Sequence, residues 1–327
     1  MVIARSLVSA LRDAGHQADV IVTPQNRFGR QASAYLATWL TDVTMTDGEP
    51  IDRVISLRFP SYAVRHPRHV CWLNHTMREY YDLWDSFSGT LSARGRIKER
   101  IRRRGMHLAD RYLLGRNVSH LFVQSETVAR RLAMWPEVRP RVLYPPAPQR
   151  NYRCDEYGDY IFMVSRLTPL KRADLLIDAL ATPEGAGIKA VIAGDGEERR
   201  RLEASIAGHG LEARVRLAGR LDEQGLLDHL ARCRAVCFPP VQEDYGFVTV
   251  EAFASRKAVI TCHDSGGPAE LVADGVNGLV ADPTPAALAR SLRQLIDDRS
   301  LAERMGGAAQ ARGADLNWPD TVQQLTA

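Results

Sequence analysis

The stretch EDYGFVTVEAF, from Glu243 to Phe253, indicates an open α/β fold with a ligand site. The apolar run before it is typical of a buried strand, and the spacing of Phe247, Val250 and Phe253 predicts a helix. Glu243 then lies in a strand-to-helix loop, and Glu251 lies about one turn into the helix. In such sheets, ligands bind beyond the carboxyl ends of the strands, where a helix N-terminus suits a phosphate.

Two carboxylates beside a phosphate site indicate that the ligand also carries a group other than phosphate. Glu243 and Glu251 cannot hold a phosphate themselves, but they can accept hydrogen bonds from the hydroxyls of a sugar or ribose. The alternative is that Glu243 belongs to a solvated acidic loop and that Glu251 caps the helix. The spacing alone leaves both interpretations open.

Further strand–turn–helix units surround this stretch. Within Tyr160 to Leu180, a strand is followed by Arg166 and Lys171, two cations that can reach a diphosphate. Gly194 and Gly196 permit a tight turn after the next strand, although Gly-Asp-Gly alone is weak evidence. Two more units follow at Val215 to Cys233 and Ala258 to Pro283.

In this order, the motifs resemble those of the retaining glycosyltransferases of family 4, which have the GT-B fold. They are SRL…K (Ser165 to Lys171), AGDG (Ala193 to Gly196), LAGRL (Leu217 to Leu221), the pair Glu243 and Glu251, SGGPAELV (Ser265 to Val272) and NGLVADP (Asn277 to Pro283). The resemblance covers Tyr160 to the C-terminus and extends more weakly over Met1 to Pro146. It implies an α/β protein of two Rossmann-like domains whose parallel sheets face each other across a cleft.

The resemblance also implies how a nucleotide sugar is held, mainly by the C-terminal domain. Glu251 accepts from the ribose hydroxyls and Glu243 from the hexose. Arg166 and Lys171 stabilise the charge that builds up on the leaving diphosphate. The remaining donor contacts are Gly194, the backbone N–H groups around Gly246, Phe247 and Val248, and, toward the base, Arg220 or Leu221.

The implied reaction moves a hexose, with retention, from a nucleotide-diphosphate sugar to a glycan, lipid-linked or small-molecule acceptor. Cell-surface polysaccharide biosynthesis is the expected process. We expect no cofactor, and no metal ion because the sequence has neither Asp-x-Asp nor a His/Cys cluster. Two rivals fit less well: a phosphorylase needs a far longer chain, and a Rossmann dehydrogenase needs a third glycine after Gly194 and Gly196.

Length and composition predict a globular protein of two domains. The 327 residues are 45% hydrophobic and 25% charged. The Pro-rich segment Tyr144 to Asn151 places the boundary, giving domains of residues 1–146 and 147–327, with residues 316–327 expected to cross back. No signal peptide or membrane span is seen, and five cysteines without disulfide or metal spacing favour a cytoplasmic location.

Positive charge is concentrated in the first half. Residues 1–150 carry 23 Lys and Arg against 13 Asp and Glu, whereas residues 151–327 carry 20 against 26. Much of the excess lies in RGRIKERIRRR, Arg94 to Arg104, where Ile97 and Ile101 give a predicted helix a narrow apolar edge. This segment is either a solvated basic face or a peripheral contact for an anionic acceptor or the inner membrane surface. It lacks interleaved aromatic residues, so we expect no nucleic-acid partner.

His75 is the catalytic candidate of the first half. It follows the predicted strand HVCWL, so it is expected to point into the ligand crevice, and the resemblance gives a histidine here a place near the transferred sugar. A lone histidine is otherwise usually structural. Ser125 is expected to cap a helix. Acceptor-side candidates are Asn74, Arg78 and Tyr81, with Arg58 and Tyr62 as further ones.

The start of the chain departs from the resembling family. Family members normally begin with a strand and a glycine-rich loop, whereas this chain opens on a helical pattern. The first N-terminal strand is therefore expected to be missing, which would leave flanking strands, such as one predicted at Ala18 to Thr23, with unpaired backbone groups. Either the start is assigned too late, or the protein is a truncated, catalytically impaired GT-B protein that only binds a nucleotide or a partner.

Overall fold

The structure, a computed structural model, describes residues 2–23, 29–46 and 48–327. The chain divides into two compact units, unit 1 (Met1–Pro145 with Trp318–Ala327) and unit 2 (Pro146–Asn317). The helices of unit 1 are α1 (Val2–Asp13), α2 (Gln31–Trp39), α3 (Trp84–Gly89), α4 (Ala93–Tyr112), α5 (Glu126–Leu132) and α13 (Trp318–Thr326). Those of unit 2 are α6 (Ala173–Ala181), α7 (Arg199–Gly208), α8 (Glu223–Arg232), α9 (Phe247–Ala254), α10 (Gly267–Leu271), α11 (Pro285–Asp297) and α12 (Arg299–Ala314).

The strands are short and fall into three sheets. Unit 1 contains β1 (Met45–Thr46), β2 (Glu49–Pro50), β3 (Val54–Ser56), β4 (His69–Leu73), β5 (His120–Val123) and β6 (Arg141–Val142). Unit 2 contains β7 (Tyr160–Val164), β8 (Lys189–Ala193), β9 (Val215–Gly219), β10 (Ala235–Cys237), β11 (Val259–Cys262) and β12 (Gly278–Ala281). Strands β1 and β2 form an antiparallel pair, and the other strands form two parallel sheets.

Unit 2 is built on a six-stranded parallel sheet in the order β12-β11-β10-β7-β8-β9. Strands β10 and β11 are buried along their whole length, as in parallel sheets that helices cover. The chain builds the sheet outward from β7 through β8 and β9, then returns to place β10 on the other side of β7. The strand order therefore reverses between β7 and β10, and ligands bind at such a switch point.

Unit 1 has a four-stranded parallel sheet in the order β3-β4-β5-β6. Strand β4 is wholly buried, and the Trp72 indole donates to the carbonyl of Leu143 at 2.8 Å. Helix α13 packs on α1 in this unit. The predicted cap is confirmed, because the Ser125 hydroxyl accepts a hydrogen bond from the backbone N–H of Val128 at 3.1 Å.

The prediction of a strand from Ala18 to Thr23 is wrong. The structure assigns no strand to this segment, and the described four-stranded sheet does not include it. Its apolar side chains Val20, Ile21 and Val22 are 36%, 47% and 67% exposed. The β-branched residues favour extended backbone, but a strand also needs a hydrogen-bonding neighbour, and the structure gives this segment none within the described ranges.

A fully buried carboxylate, Asp110 on α4, ties the core of unit 1 together. The hydroxyls of Tyr35, Tyr62 and Tyr81 all donate to it, the latter two at 2.5 Å. Burial raises the pKa of Asp110 to about 6, although these three hydrogen bonds oppose the rise. Tyr81 is thus a core residue, 8% exposed, and Tyr62 is fully buried. This corrects their assignment to the acceptor side, because burial and the shared carboxylate occupy both side chains.

Helix α4 carries the basic segment and has two unlike faces. Glu99, Met106 and Asp110 are buried on one side. The opposite side exposes an apolar stripe of Ile97 (62%), Ile101 (66%), Leu108 (67%) and Tyr112 (53%). Because successive helical residues turn by about 100°, these four lie within an arc of about 60°. No helix within the described ranges is long and apolar enough to cross a membrane.

Candidate functional site

Three loops of unit 2 are joined at the carboxyl edge of the sheet, where the strand order reverses. The N–H of Val241 donates to the carbonyl of Leu170 at 2.8 Å, which ties the loop after β10 to the loop after β7. The N–H groups of Gln242 and Glu243 donate to the carbonyls of Asp264 and Ser265, each at 2.9 Å, which ties in the loop after β11. The switch-point site is this set of loops together with the start of α9.

Two glycines allow close backbone approaches at this edge of the sheet, Gly266 after β11 and Gly194 after β8. Gly266 has φ +73°, and a Cβ there would lie 2.5 Å from the carbonyl oxygen of Glu243. Gly194 has φ +128°, and a Cβ there would lie 1.7 Å from the carbonyl oxygen of Ser165. A side chain at either position is excluded. Gly194, predicted as a donor contact, therefore has a packing role at the end of β8.

Arg172 holds these loops together, a role that the sequence analysis did not identify. Its backbone is left-handed, with φ +51°. Its guanidinium donates to the carbonyls of Pro239 and Pro240, at 2.6 and 2.7 Å, and to both carboxylate oxygens of Asp264. With its donors in use, Arg172 supports the site structurally. The only signal in the sequence is its place directly after Lys171.

The structure brings Lys171 and Glu243 together, and the sequence motifs predicted that both belong to one site. The Lys171 ammonium donates to a carboxylate oxygen of Glu243, and their side chains are 12% and 18% exposed. The Lys171 nitrogen also lies 5.6 Å from the ring centroid of Phe238. An accessible ion pair of this kind can open, so that the cation can pair with an anionic ligand and the carboxylate can accept from hydroxyls.

Arg166 is the second cation at this edge. It lies just after β7, and its side chain is exposed. The structure gives it no ion pair in the described part of the chain. A guanidinium in this state can form a two-pronged contact with a phosphate group without first breaking an internal interaction.

Helix α9 begins beside these groups. Its N-cap is Gly246, with φ +79°, where a Cβ would lie 2.8 Å from both Phe238 and Pro268. Phe247 and Val248 form the first turn, whose N–H groups have no partner within a helix. The buried Thr249 hydroxyl also lacks a partner among the described residues. Hydrogen-bond donors are therefore concentrated where an anion would be stabilised.

Glu251 lies on the buried side of α9 with two partners that the sequence did not reveal. It is 6% exposed, and one carboxylate oxygen accepts from the Arg150 guanidinium and from the Tyr152 hydroxyl, the latter at 3.3 Å. Burial raises the pKa of Glu251, while Arg150 lowers it. Arg150 and Tyr152 stand in a Pro-rich, polar segment without a motif, so no pattern could identify them.

The other predicted donor contacts lie at the loop after β9. The Arg220 side chain is 84% exposed, and its Nε lies 3.7 Å from a carboxylate oxygen of Asp195. Leu221 is half-buried. Groups of three or more His, Cys, Asp or Glu that could hold a metal ion are not found in the part of the chain described.

The candidate site residues of unit 1 lie after β4, and they differ in whether their side chains are free to bind a ligand. His75 is half-buried, and its Nδ1 lies 3.0 Å from the carbonyl oxygen of Thr76. The Asn74 side-chain oxygen is buried without a partner among the described residues. Arg78 instead forms a two-pronged ion pair with Asp82, at 2.7 and 3.0 Å. That pair must open before Arg78 can bind an acceptor.

Comparison with known proteins identifies relatives of one kind. The family described as glycosyl transferases group 1 matches residues 149–312, just over half of the chain. The chain is 31% identical over 215 residues to the alpha-D-kanosaminyltransferase of Streptomyces kanamyceticus, a match that covers 64% of this chain and 51% of that protein. This chain covers about half or less of the length of the curated relatives named first among its matches.

Solved structures give the fold. The structure of Anabaena Alr3699/HepE in complex with UDP is 25% identical, with a TM-score of 0.55 over 65% of this chain and 64% of that chain. The sucrose-phosphate synthase of Thermosynechococcus elongatus has a TM-score of 0.75 at 18% identity, over 98% and 90% of the two chains. The expected GT-B fold class is confirmed.

Proposed function

This chain belongs to the group 1 glycosyl transferases, and we propose that it transfers a hexose from a nucleotide-diphosphate sugar with retention of configuration. The observation that carries the proposal is the accessible ion pair of Lys171 with Glu243 at the switch point of the unit 2 sheet. The UDP complex of the Anabaena relative supports a nucleotide donor.

In the proposed complex, the donor replaces the internal partners of the switch-point site. Its diphosphate takes Lys171 away from Glu243 and also engages Arg166 and the first turn of α9. Glu243 is then free to accept from the hexose hydroxyls, and Glu251 accepts from the ribose hydroxyls. The exchange costs little, because one charge-assisted contact replaces another.

The reaction breaks the bond between the anomeric carbon and the diphosphate oxygen. The acceptor hydroxyl forms the new bond on the same face, and its proton passes to the diphosphate. Negative charge grows on the leaving group, so Arg166 and Lys171 lower the barrier by electrostatic stabilisation, without a required metal ion. His75 stays the catalytic candidate of unit 1.

Arg150 acts as a positioning residue in this proposal. Its guanidinium fixes the Glu251 carboxylate and opposes the rise in the pKa of Glu251 that burial causes. An ionised and oriented Glu251 accepts from two ribose hydroxyls better than a protonated one, since the carboxylic acid has lost an acceptor position.

The acceptor is a glycan or a lipid-linked molecule, and α4 contacts the anionic surface that carries it. The exposed Arg94, Arg100 and Arg104 lie beside the apolar stripe of α4. Such a face can insert its apolar residues at an interface while its cations meet anionic head groups, each contributing about 1 kcal/mol. Sedimentation with anionic and with neutral vesicles measures this contact, and equal binding to both would exclude it.

The transfer reaction is tested by removing the two cations. A panel of nucleotide-diphosphate sugars is screened with the wild-type protein for sugar transfer and for donor hydrolysis. Arg166→Ala and Lys171→Ala should each lower kcat/KM by about 10²-fold, since each removes about 2–4 kcal/mol of transition-state stabilisation. Arg299→Ala and Lys189→Ala are matched controls, because they remove the same residue types from exposed ion pairs elsewhere in unit 2.

The outcomes separate the proposal from its rival. Loss of rate in the two site variants, with unchanged rate in the controls, supports transfer at the switch point. Normal rates in Arg166→Ala and Lys171→Ala would overturn the assigned roles. Binding of a nucleotide without transfer or hydrolysis of any donor would favour a protein that only binds.

A further inference from the structure

A large apolar cavity in unit 1 is not used by the reaction described above. It has a volume of about 940 Å³ and lies between α2 and α4. Leu36, Trp39, Ala109 and Leu113 contribute to its walls. This volume is at the upper end of the range of about 300–1,000 Å³ that is usual for small-molecule sites.

The cavity has positive charge at one end. Arg30 and Arg102 line it, and no acidic residue is among its described lining residues. Gly29, which precedes Arg30 in the chain, lies close to Arg102, because a Cβ added at Gly29 would lie 3.8 Å from a terminal nitrogen of Arg102. Arg102 already pairs with the buried Glu99, whereas Arg30 is exposed and has no ion pair in the ranges described.

The residues that line the opposite end of the cavity are uncharged, although the Arg65 guanidinium lies 5.2 Å from the Trp39 ring centroid. Trp39 and Leu113 lie more than two helical turns beyond the cations along α2 and α4. Helix α2 has nine residues, so the cavity wall runs for about 13 Å between the two ends. One charged end and one apolar end make the cavity complementary to an amphiphile with an anionic head.

The cavity also adjoins the exposed apolar stripe of α4. Tyr112 belongs to both, since it is the last residue of the stripe and a lining residue of the cavity. Gly105 and Ala109 are on the side of α4 that turns from the stripe toward the buried face. A chain at a lipid surface contacted by this stripe can therefore enter the cavity over continuous apolar surface.

We infer that this cavity binds the apolar chain of a phosphate-bearing lipid, with the phosphate at Arg30 and Arg102. The inference rests on the proposed function, since the lipid is the molecule that carries the sugar acceptor. Each CH₂ group that leaves water adds to the affinity, and a cavity wall of about 13 Å accommodates a chain of about ten carbons. The cations select a phosphate head over a neutral or cationic one.

Dodecyl phosphate, used below its micelle concentration, is the probe for this site. Calorimetry should detect its binding to the wild-type protein, with at least tenfold weaker binding of dodecyltrimethylammonium, which has the same chain and the opposite charge. Gly105→Phe should weaken the dodecyl phosphate affinity at least tenfold by filling the cavity. A Cβ at Gly105 meets no atom within 4 Å, and replacing a helical glycine favours the helix, so folding should be preserved.

Matched variants separate the cavity from general effects. Gly307→Phe changes a helical glycine of α12, where a Cβ also meets nothing within 4 Å, and should leave the affinity unchanged. Arg30→Glu should weaken binding several-fold, whereas Arg5→Glu, on the exposed side of α1, should not. Thermal stabilisation of each variant by nucleoside diphosphates measures nucleotide binding by unit 2 independently. Loss of dodecyl phosphate binding is thereby distinguished from loss of nucleotide binding.

Three results would overturn the inference. Equal affinity of wild-type and Gly105→Phe proteins for dodecyl phosphate would place the lipid elsewhere. Equal binding of the cationic amphiphile would remove the role of the arginines. A wild-type dimer that Gly105→Phe converts to a monomer would make the cavity an interface between copies of this chain.

Discussion

Asp110 of unit 1 and Glu243 of unit 2 are carboxylates with opposite kinds of surroundings. Asp110 of unit 1 is fully buried and accepts from three tyrosine hydroxyls that come from separate segments. Glu243 of unit 2 is 18% exposed and has one cation, Lys171, as its side-chain partner. Three neutral hydrogen-bond donors hold the Asp110 carboxylate in place, whereas a single flexible cation allows Glu243 to exchange its partner for a ligand.

The difference separates structural from ligand-binding roles. Removing Asp110 leaves three buried hydroxyls without an acceptor, and such groups are costly. Removing Glu243 leaves a lysine that can turn toward water, because that ammonium sits on a flexible stem near the surface. Asp110 should therefore govern stability, and Glu243 should govern the reaction.

The largest expected effect is on the stability of unit 1. Asp110→Ala should destabilise this unit by on the order of 3 kcal/mol, and Asp110→Asn should cost less because its amide oxygen still accepts hydrogen bonds. Hydrogen exchange should accelerate in β4 and β5 and stay unchanged in β7 and β8. Equal acceleration of hydrogen exchange in both units, or none in either, would contradict a structural role of Asp110 that is confined to unit 1.

Removal of the Glu243 carboxylate in unit 2 should act mainly on the rate of sugar transfer. Glu243→Ala should lower kcat/KM for sugar transfer by on the order of 10²-fold, because the hexose loses a charged acceptor. Its cost to stability should be smaller than that of Asp110→Ala, because the pair is partly exposed and the freed Lys171 ammonium sits on a flexible stem. Steady-state kinetics and hydrogen exchange on the same sample check both. A large loss of unit 2 protection would make Glu243 structural, like Asp110.

A smaller effect should follow from Arg150, which supports the most buried carboxylate of unit 2. In Arg150→Ala the pKa of Glu251 should rise further, because burial is then unopposed by this cation. The donor KM should increase about tenfold near neutral pH and recover as the pH rises and Glu251 ionises, with kcat nearly unchanged. Arg153→Ala, which removes a neighbouring arginine bound to Asp228, is the control. A lower donor KM would instead mean that Arg150 competes with the ribose.

The sequence predicted the fold class well because its signals are local. Apolar runs followed by turn residues and helical spacing recur through unit 2, and each is set by neighbours within a few residues. The strand predicted at Ala18 to Thr23 failed because strand formation also depends on a partner from elsewhere in the chain. Local propensity carries no information about that partner.

The candidate site could be predicted only where a motif marks it. Lys171 and Glu243 lie in spaced motifs, and the structure brings them into contact. Arg150 and Arg172 reach their partners from positions 101 and 92 residues away in the sequence, so only the folded chain reveals those contacts. Tyr81 follows a strand end like a site residue, but its side chain turns into the core to reach Asp110.

The central claim is that the switch-point site of unit 2 binds a nucleoside diphosphate through Lys171. The direct measurement is the thermal unfolding of wild-type, Lys171→Ala and Lys189→Ala proteins with UDP, GDP, ADP and dTDP. At least one nucleotide, at a hundred times its dissociation constant, should stabilise the wild-type and Lys189→Ala proteins by about 2.7 kcal/mol, and Lys171→Ala much less at the same concentration. No stabilisation by any of the four, or equal stabilisation of all three proteins, would contradict the account.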